Sequence, residues 1–129
     1  MDTRGKHLIA EYYECNSKLL NDEGALKQLL IKAAQAANVR VIDSIEHSFS
    51  PVGVTCVVAI EESHLSIHTW PEEGYAAADF FTCGDGLPEA AHQCLIEGLQ
   101  AKRVECLTLQ RGLRSAARSI EIAEHKLDV

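Results

Sequence analysis

The spacing of hydrophobic residues alternates along the chain between a period of two and a helical period. Period-two spacing and apolar runs predict strands over residues 7–15, 39–49, 54–60, 63–69, 75–83 and 103–109. Helical spacing predicts one helix that follows Asn21-Asp22 and is closed by Asn38, and a second that starts at Pro88. The tail from Gly112 is polar and rich in Ala, Arg and Glu, and we expect it to be a short helix or disordered.

The predicted order of elements is β-α-β-β-β-β-α-β. This pattern is typical of the α+β class, with helices on one face of a mainly antiparallel sheet. The other face then needs a cover, and a dimer that stacks two sheets is the economical solution. Residues 54–60 are nearly all apolar, so we expect that strand to be covered on both faces.

Composition narrows the class of protein. The 129 residues form one domain, 1–129, without a linker or repeat. The net charge of −7 makes nucleic acid an unsuitable partner. Apolar runs such as Val57–Ile60 are too short to span a membrane, and the N-terminus turns acidic where a signal peptide would be apolar. Five cysteines, an odd number without C-x-x-C spacing, argue against a disulfide framework or zinc site and favour a reducing cytoplasm.

The centre of the chain is unusually polar for a strand region. On a strand, Glu62, His64, Ser66 and His68 share one face. For any one of these residues taken alone, a solvated strand face is the simplest explanation. A metal held by His64 and His68 is disfavoured because four residues of strand span about 13 Å. A Ser-His-Asp hydrolase would need a G-x-S-x-G elbow, which does not occur.

A third chemistry uses the whole polar segment. A serine hydroxyl can attack the preceding carbonyl and convert the amide into an ester. If a base then removes the serine α-proton, the ester is eliminated and the new N-terminus carries a ketone, the pyruvoyl group. Such a ketone can form a Schiff base with an amine substrate and act as an electron sink.

Several motifs resemble the short prokaryotic S-adenosylmethionine decarboxylase family. The central ones are ESHLSIHTWPE at residues 62–72, GYAA at 74–77 and DFFTCG at 79–84. The resemblance extends over about residues 4–112 without gaps. It also includes the following elements: GKHL at 5–8, EYYEC at 11–15, Phe49, Pro51 and Gly53, and Arg111-Gly112.

The resemblance implies self-cleavage and a cofactor made from the chain itself. Ser63 would become the pyruvoyl group that forms the Schiff base, with cleavage between Glu62 and Ser63. The products would be a β chain of residues 1–62 and an α chain of residues 63–129.

Other roles follow from the same resemblance. His68 would be the base that takes the α-proton during processing, and Cys83 would protonate the substrate carbon after CO₂ leaves. Position 55, a serine in the family and Thr55 here, would supply a hydroxyl that aids processing. Phe49 would stack on adenine with His68 also facing it, and Glu72 would accept hydrogen bonds from the ribose hydroxyls. No metal is implied.

The family fold is a two-layer α+β sandwich. It dimerises through its sheets, with active sites at the interface, which agrees with the argument for a covered sheet face. The acidic chain suits a cationic substrate, either a sulfonium or an amine.

The chain also departs from the family pattern. Thr55 replaces a serine, Cys56 stands where a small glycine is expected, and Val52 where an aromatic or polar residue is common. The tail beyond Gly112 also differs. We expect these changes to cluster on the substrate side of the pocket.

Three functions are therefore compared. The first is decarboxylation of S-adenosylmethionine to make the aminopropyl donor for spermidine. The second is a pyruvoyl-dependent arginine or ornithine decarboxylase of the same family. The third, a non-catalytic dimeric binding module, is disfavoured because Ser63, His68 and Cys83 are all present.

Overall fold

A computed structural model of the protein describes residues 3–128, which form a layer of helices against one sheet. The strands are β1 (Gly5–Tyr13), β2 (Val41–Ser48), β3 (Val54–Ile60), β4 (Ser63–Trp70), β5 (Tyr75–Cys83), β6 (Arg103–Arg111) and β7 (Glu121–Asp128). The helices are α1 (Ser17–Leu20), α2 (Glu23–Ala36) and α3 (Pro88–Leu99), and Pro71–Glu73 makes a single 3₁₀ turn.

The strands form one sheet in the order β2-β3-β4-β5-β1-β6-β7, and every neighbouring pair is antiparallel. Alternate residues of the central strands are buried against α2 and α3, among them Leu8, Tyr12, Leu65 and Phe80. The predicted α+β sandwich with helices on one face is confirmed. We call the opposite side of the sheet, which carries Ile9 and other residues named below, the open face.

Local sequence accounts for the long helices. The side chain of Asp22 caps α2 by accepting a hydrogen bond from the backbone N–H of Ala25 (3.0 Å). Helix α2 ends at Ala36, and Asn38 beyond it adopts a left-handed conformation (φ 60°). Gly98 lets α3 approach α2, because a Cβ at that position would lie 2.3 Å from Cδ1 of Leu29. The two helices therefore form one compact layer.

The tail differs from the expectation of a short helix or disorder. After a tight turn at Ser115–Arg118, the chain returns as β7 and pairs with the edge of β6. The Ala, Arg and Glu residues that favour a helix are overridden because β6 offers a row of unpaired backbone groups.

The expectation that β3 is covered on both faces is also wrong for the single chain. Val54, Cys56, Val58 and Ile60 are buried under the helices, whereas Ala59 on the open face is exposed. Within residues 3–128, no helix is both long and apolar enough to cross a membrane.

Candidate active site

The turn between β3 and β4 contains the predicted cleavage position. Ile60 pairs with Ser63, so the turn consists of Glu61 and Glu62 alone. Glu62 adopts a left-handed conformation (φ 73°), which costs a residue other than glycine on the order of 1 kcal/mol or more. The Glu62–Ser63 peptide bond is therefore attached to a strained backbone.

Two side chains lie next to the Glu62–Ser63 peptide bond. The Ser63 hydroxyl is buried and has no hydrogen-bond partner among residues 3–128. Buried polar groups are nearly always bonded, so a bare serine hydroxyl here needs a functional explanation. Cys83, at the end of β5, places Sγ 3.8 Å from the carbonyl oxygen of Glu62. We call Glu62, Ser63 and Cys83 the serine end of the site.

A second group of predicted site residues lies farther along the sheet. Thr55 on β3 faces His68 on β4, and the Thr55 hydroxyl lies 3.0 Å from Nδ1 of His68. Both residues line a cavity of about 380 Å³ together with Phe49 and Glu72. Phe49 is 52% exposed, so part of its ring surface remains available to a flat ligand. We call Phe49, Thr55, His68 and Glu72 the histidine end.

The two ends do not meet within one chain. Ser63 and His68 lie five residues apart on the same strand, and at the rise of a β-strand this separation is roughly 16 Å. Neither the His68 ring nor the Thr55 hydroxyl can reach the α-proton of Ser63 in its own chain. A single chain thus presents two incomplete halves of the predicted site.

Comparisons with known proteins identify the family of the chain. The family profile described as S-adenosylmethionine decarboxylase matches residues 6–112. The chain belongs to the S-adenosylmethionine decarboxylase family.

Individual relatives span most or all of the chain. An S-adenosylmethionine decarboxylase proenzyme of Prochlorococcus marinus (strain MIT 9211) is 49% identical over 108 residues, which cover 83% of this chain and 88% of that protein. A proenzyme of the same name from Thermotoga petrophila is 42% identical and is aligned over the full length of both chains. The crystal structure of the adenosylmethionine decarboxylase from Aquifex aeolicus superposes with a TM-score of 0.76 at 34% identity, covering 84% of this chain and 90% of that chain.

The departures from the S-adenosylmethionine decarboxylase pattern do not all lie at the pocket. Thr55 and Val52 line the histidine-end cavity as expected. Cys56 does not, because it is fully buried under the helices, where burial raises the pKa of its thiol to about 11. The Cys56 substitution therefore concerns packing of the core and leaves the cavity surface unchanged.

A cluster that the motif analysis did not single out lies beside the serine end. Asp79 on β5 accepts hydrogen bonds from Nε2 of His7 (2.6 Å), from Nε2 of His64 (2.9 Å) and from the hydroxyl of Ser66. Arg111 on β6 contacts Nδ1 of His7 (3.1 Å). We call these five residues the Asp79 cluster. The sequence signal was a single carboxylate in the otherwise uncharged strand 75–83.

The Asp79 carboxyl is held in its ionised form. Burial alone would raise its pKa, but the hydrogen bonds from His7, Ser66 and His64 outweigh burial and keep that pKa well below its ordinary value of 3.8.

The spacing of this cluster resembles that of a metal site, since atoms of His7, His64 and Asp79 lie within 4.8 Å of one another. The guanidinium of Arg111 argues against a metal, because it can only donate a hydrogen bond. Nδ1 of His7 must then accept, and the ring proton sits on Nε2, where it points at Asp79. A metal bound at Nε2 would need the opposite tautomer. The arrangement therefore fits a hydrogen-bond network.

Proposed function

We propose that this chain is a proenzyme that cleaves itself between Glu62 and Ser63, and that with the pyruvoyl group that Ser63 would form it decarboxylates S-adenosylmethionine. The observation that carries the proposal is the serine end. Among residues 3–128 the buried Ser63 hydroxyl has no hydrogen-bond partner and adjoins a strained Glu62 carbonyl, and the Cys83 thiol lies beside the oxygen of that carbonyl.

Cleavage would proceed in two stages. Ser63 Oγ attacks the Glu62 carbonyl carbon, the C–N bond breaks, and the Ser63 nitrogen leaves as an amine, so the amide becomes an ester. A base then takes the Ser63 α-proton, and Glu62 departs as a carboxylate that carries Oγ. The resulting enamine isomerises and is hydrolysed by one water, which releases ammonia and leaves the pyruvoyl ketone on residue 63. Relief of strain at Glu62 favours the first stage.

The pyruvoyl group would supply the electron sink that makes loss of CO₂ possible. The residues present fit such a group, because Cys83 lies at the same peptide and can deliver a proton to the substrate carbon afterwards. A thiol remains a competent proton donor near neutral pH. The product would serve as the aminopropyl donor for spermidine.

Substrate recognition would take place at the histidine end. The exposed Phe49 ring offers a stacking surface for adenine, worth roughly 1–3 kcal/mol for one base. Glu72 lines the same cavity and can accept hydrogen bonds from both ribose hydroxyls. The chain's net charge of −7 suits the cationic sulfonium of the substrate.

We further infer that two copies pair through their open faces, so that the histidine end of one protomer completes the serine end of its partner. Two observations support this homodimer. The two ends lie roughly 16 Å apart within one chain, and the open face exposes large apolar side chains, including Ile45 (73%), Ile122 (65%) and Leu127 (70%). Large exposed apolar patches mark interaction surfaces. The odd number of five cysteines, without C-x-x-C spacing, favours action in the reducing cytoplasm.

The proposal is tested with purified protein and a denaturing gel. Wild type should separate into residues 1–62 and 63–129, whereas Ser63→Ala should remain whole and inactive because no hydroxyl can attack Glu62. Cleaved wild-type protein should release labelled CO₂ from carboxyl-labelled S-adenosylmethionine, and Phe49→Ala combined with Glu72→Ala should abolish that release. CO₂ release from arginine or ornithine, with none from S-adenosylmethionine, would overturn the substrate assignment but leave the cofactor chemistry standing.

A further inference from the structure

The Asp79 cluster ties together four strands at the serine end of the open face. His7 lies on β1, His64 and Ser66 on β4, Asp79 on β5 and Arg111 on β6. Both oxygens of the Asp79 carboxylate accept: Oδ2 binds the two histidines and Oδ1 binds Ser66. Ser66 is only 8% exposed, so this part of the open face is sheltered even within one chain. The cluster therefore helps to fix the register of β4 against β5.

Arg111 determines which nitrogen of His7 donates a hydrogen bond and which accepts one. Its guanidinium lies 4.2 Å above the Phe81 ring, a cation–π contact that holds it in place. From there it donates to Nδ1 of His7, so that His7 donates from Nε2 to Asp79. Phe81 also contacts the His7 and His64 rings, at centroid distances of 5.2 and 6.0 Å. The His7 ring is thus held by two hydrogen bonds and the His64 ring by one, and both rings pack against Phe81.

The position of His64 connects the cluster to the scissile bond. His64 follows Ser63 directly, and its contact with Asp79 is a side-chain tether one residue beyond the cleaved peptide. On the open face of β5, the next residues after Asp79 are Phe81 and Cys83. Phe81 pairs with His64, and the Cys83 thiol contacts the Glu62 carbonyl. A shift of β4 along β5 would move Ser63 relative to the Glu61–Glu62 turn and so change the alignment of its hydroxyl with the Glu62 carbonyl.

We propose that Asp79 is a positioning residue for self-cleavage, which through His64 holds the Ser63 hydroxyl in position to attack the Glu62 carbonyl. This inference rests on the proposed self-cleavage. Attack by Ser63 requires close alignment of its hydroxyl with the carbonyl, and a misplacement of about 1 Å can slow such a step by roughly 100-fold. Asp79 and His64 touch no reacting atom in this scheme and act on geometry alone.

The test compares cleavage rates of chains pulse-labelled in cell-free translation and chased on denaturing gels. Asp79→Asn and His64→Leu should slow the conversion to residues 1–62 and 63–129 by at least about tenfold, because the tether is lost. The uncut chain should resist hydroxylamine, since the block precedes ester formation. His64→Gln should cleave at close to the wild-type rate, because its amide nitrogen can replace Nε2 as the donor to Asp79 although it cannot act as a base.

The matched control is Glu105→Gln. Glu105 accepts a hydrogen bond from Nε2 of His125 (2.7 Å) on the same open face, but between β6 and β7. Cleavage of this variant should be unchanged.

Two results would overturn the inference. One is cleavage of Asp79→Asn at the wild-type rate, and the other is cleavage of His64→Gln as slow as that of His64→Leu, which would assign imidazole chemistry to His64. If Asp79→Asn does not fold, as judged by circular dichroism, the two His64 variants decide the question. An intact wild-type chain, or a cleaved Ser63→Ala chain, would instead refute the proposed self-cleavage itself.

Discussion

The Thr55 hydroxyl lies 3.0 Å from Nδ1 of His68, on the strand directly beside it. A hydroxyl can accept a hydrogen bond from Nδ1–H, and the imidazole then presents an unprotonated Nε2 that can act as a base. The threonine keeps the hydroxyl of the serine usual in this family and adds a methyl group that restricts its rotamers.

The Thr55–His68 contact predicts that two variants of Thr55 differ in how fast they process. Thr55→Val keeps the shape of the side chain but removes the acceptor, so elimination of the ester should slow by roughly tenfold or more. Ester should then accumulate, and hydroxylamine should release the two fragments from it. Thr55→Ser restores the hydroxyl and should process normally. Equal processing by Val and Ser at position 55 would show that the hydroxyl does not orient His68.

Cys83 should affect turnover more than it affects cleavage. Its contact with the Glu62 carbonyl is a long S–H···O interaction, worth about 0.5–1 kcal/mol, so Cys83→Ala should slow cleavage only by a few fold. Loss of the proton donor should lower CO₂ release from S-adenosylmethionine by about 10²-fold or more. The measurement is the cleavage half-time set against the turnover rate of the fraction already cleaved. Cleaved Cys83→Ala protein with wild-type turnover would remove the thiol from the reaction.

Separation of the serine and histidine ends predicts complementation between subunits. When Ser63→Ala and His68→Ala chains are coexpressed, a mixed dimer contains one intact site, formed by Ser63 of one chain and His68 of the other. The His68→Ala chain should therefore be cleaved in the mixture, although neither variant alone completes cleavage.

A double variant supplies the control for that experiment. In a mixed dimer of wild type with Ser63→Ala/His68→Ala, neither site is intact, so purified mixed dimers should remain uncut. Cleavage of the wild-type chain in these dimers would mean that each protomer carries its own complete site.

The ionised Asp79 predicts how stability depends on pH. Its pKa is lowered in the folded chain, so its contribution to stability is fully present above the ordinary aspartate value of 3.8 and is lost as the pH falls below that value toward the lowered pKa. Urea unfolding of the uncut Ser63→Ala chain should show this acid-side loss. In Ser63→Ala/Asp79→Asn, the free energy of unfolding should fall less steeply as the pH is lowered. If stability falls equally with decreasing pH in the two proteins, the cluster does not lower the pKa of Asp79.

Much of the fold follows from local patterns. The alternation of Leu8, Ala10 and Tyr12 predicts a strand with one buried face, and Asp22 caps α2 as its sequence position indicates. The rise of a strand alone is enough to separate Ser63 from His68, because both residues belong to one extended segment. The tail could not be predicted in this way, since its helix-favouring residues form a strand only because the edge of β6 is available.

The sequence by itself determined strands β1 to β6 and the two long helices, and the motifs around Ser63, His68 and Cys83 indicated the family and the chemistry. Only the tertiary structure decided which polar groups meet. Asp79 and His7 are far apart along the chain, and they touch because β1 and β5 pair in one particular register. Hydrogen bonds between strands depend on that register, which is set by burial of a whole sheet face and by turn geometry, and no local stretch of sequence specifies it.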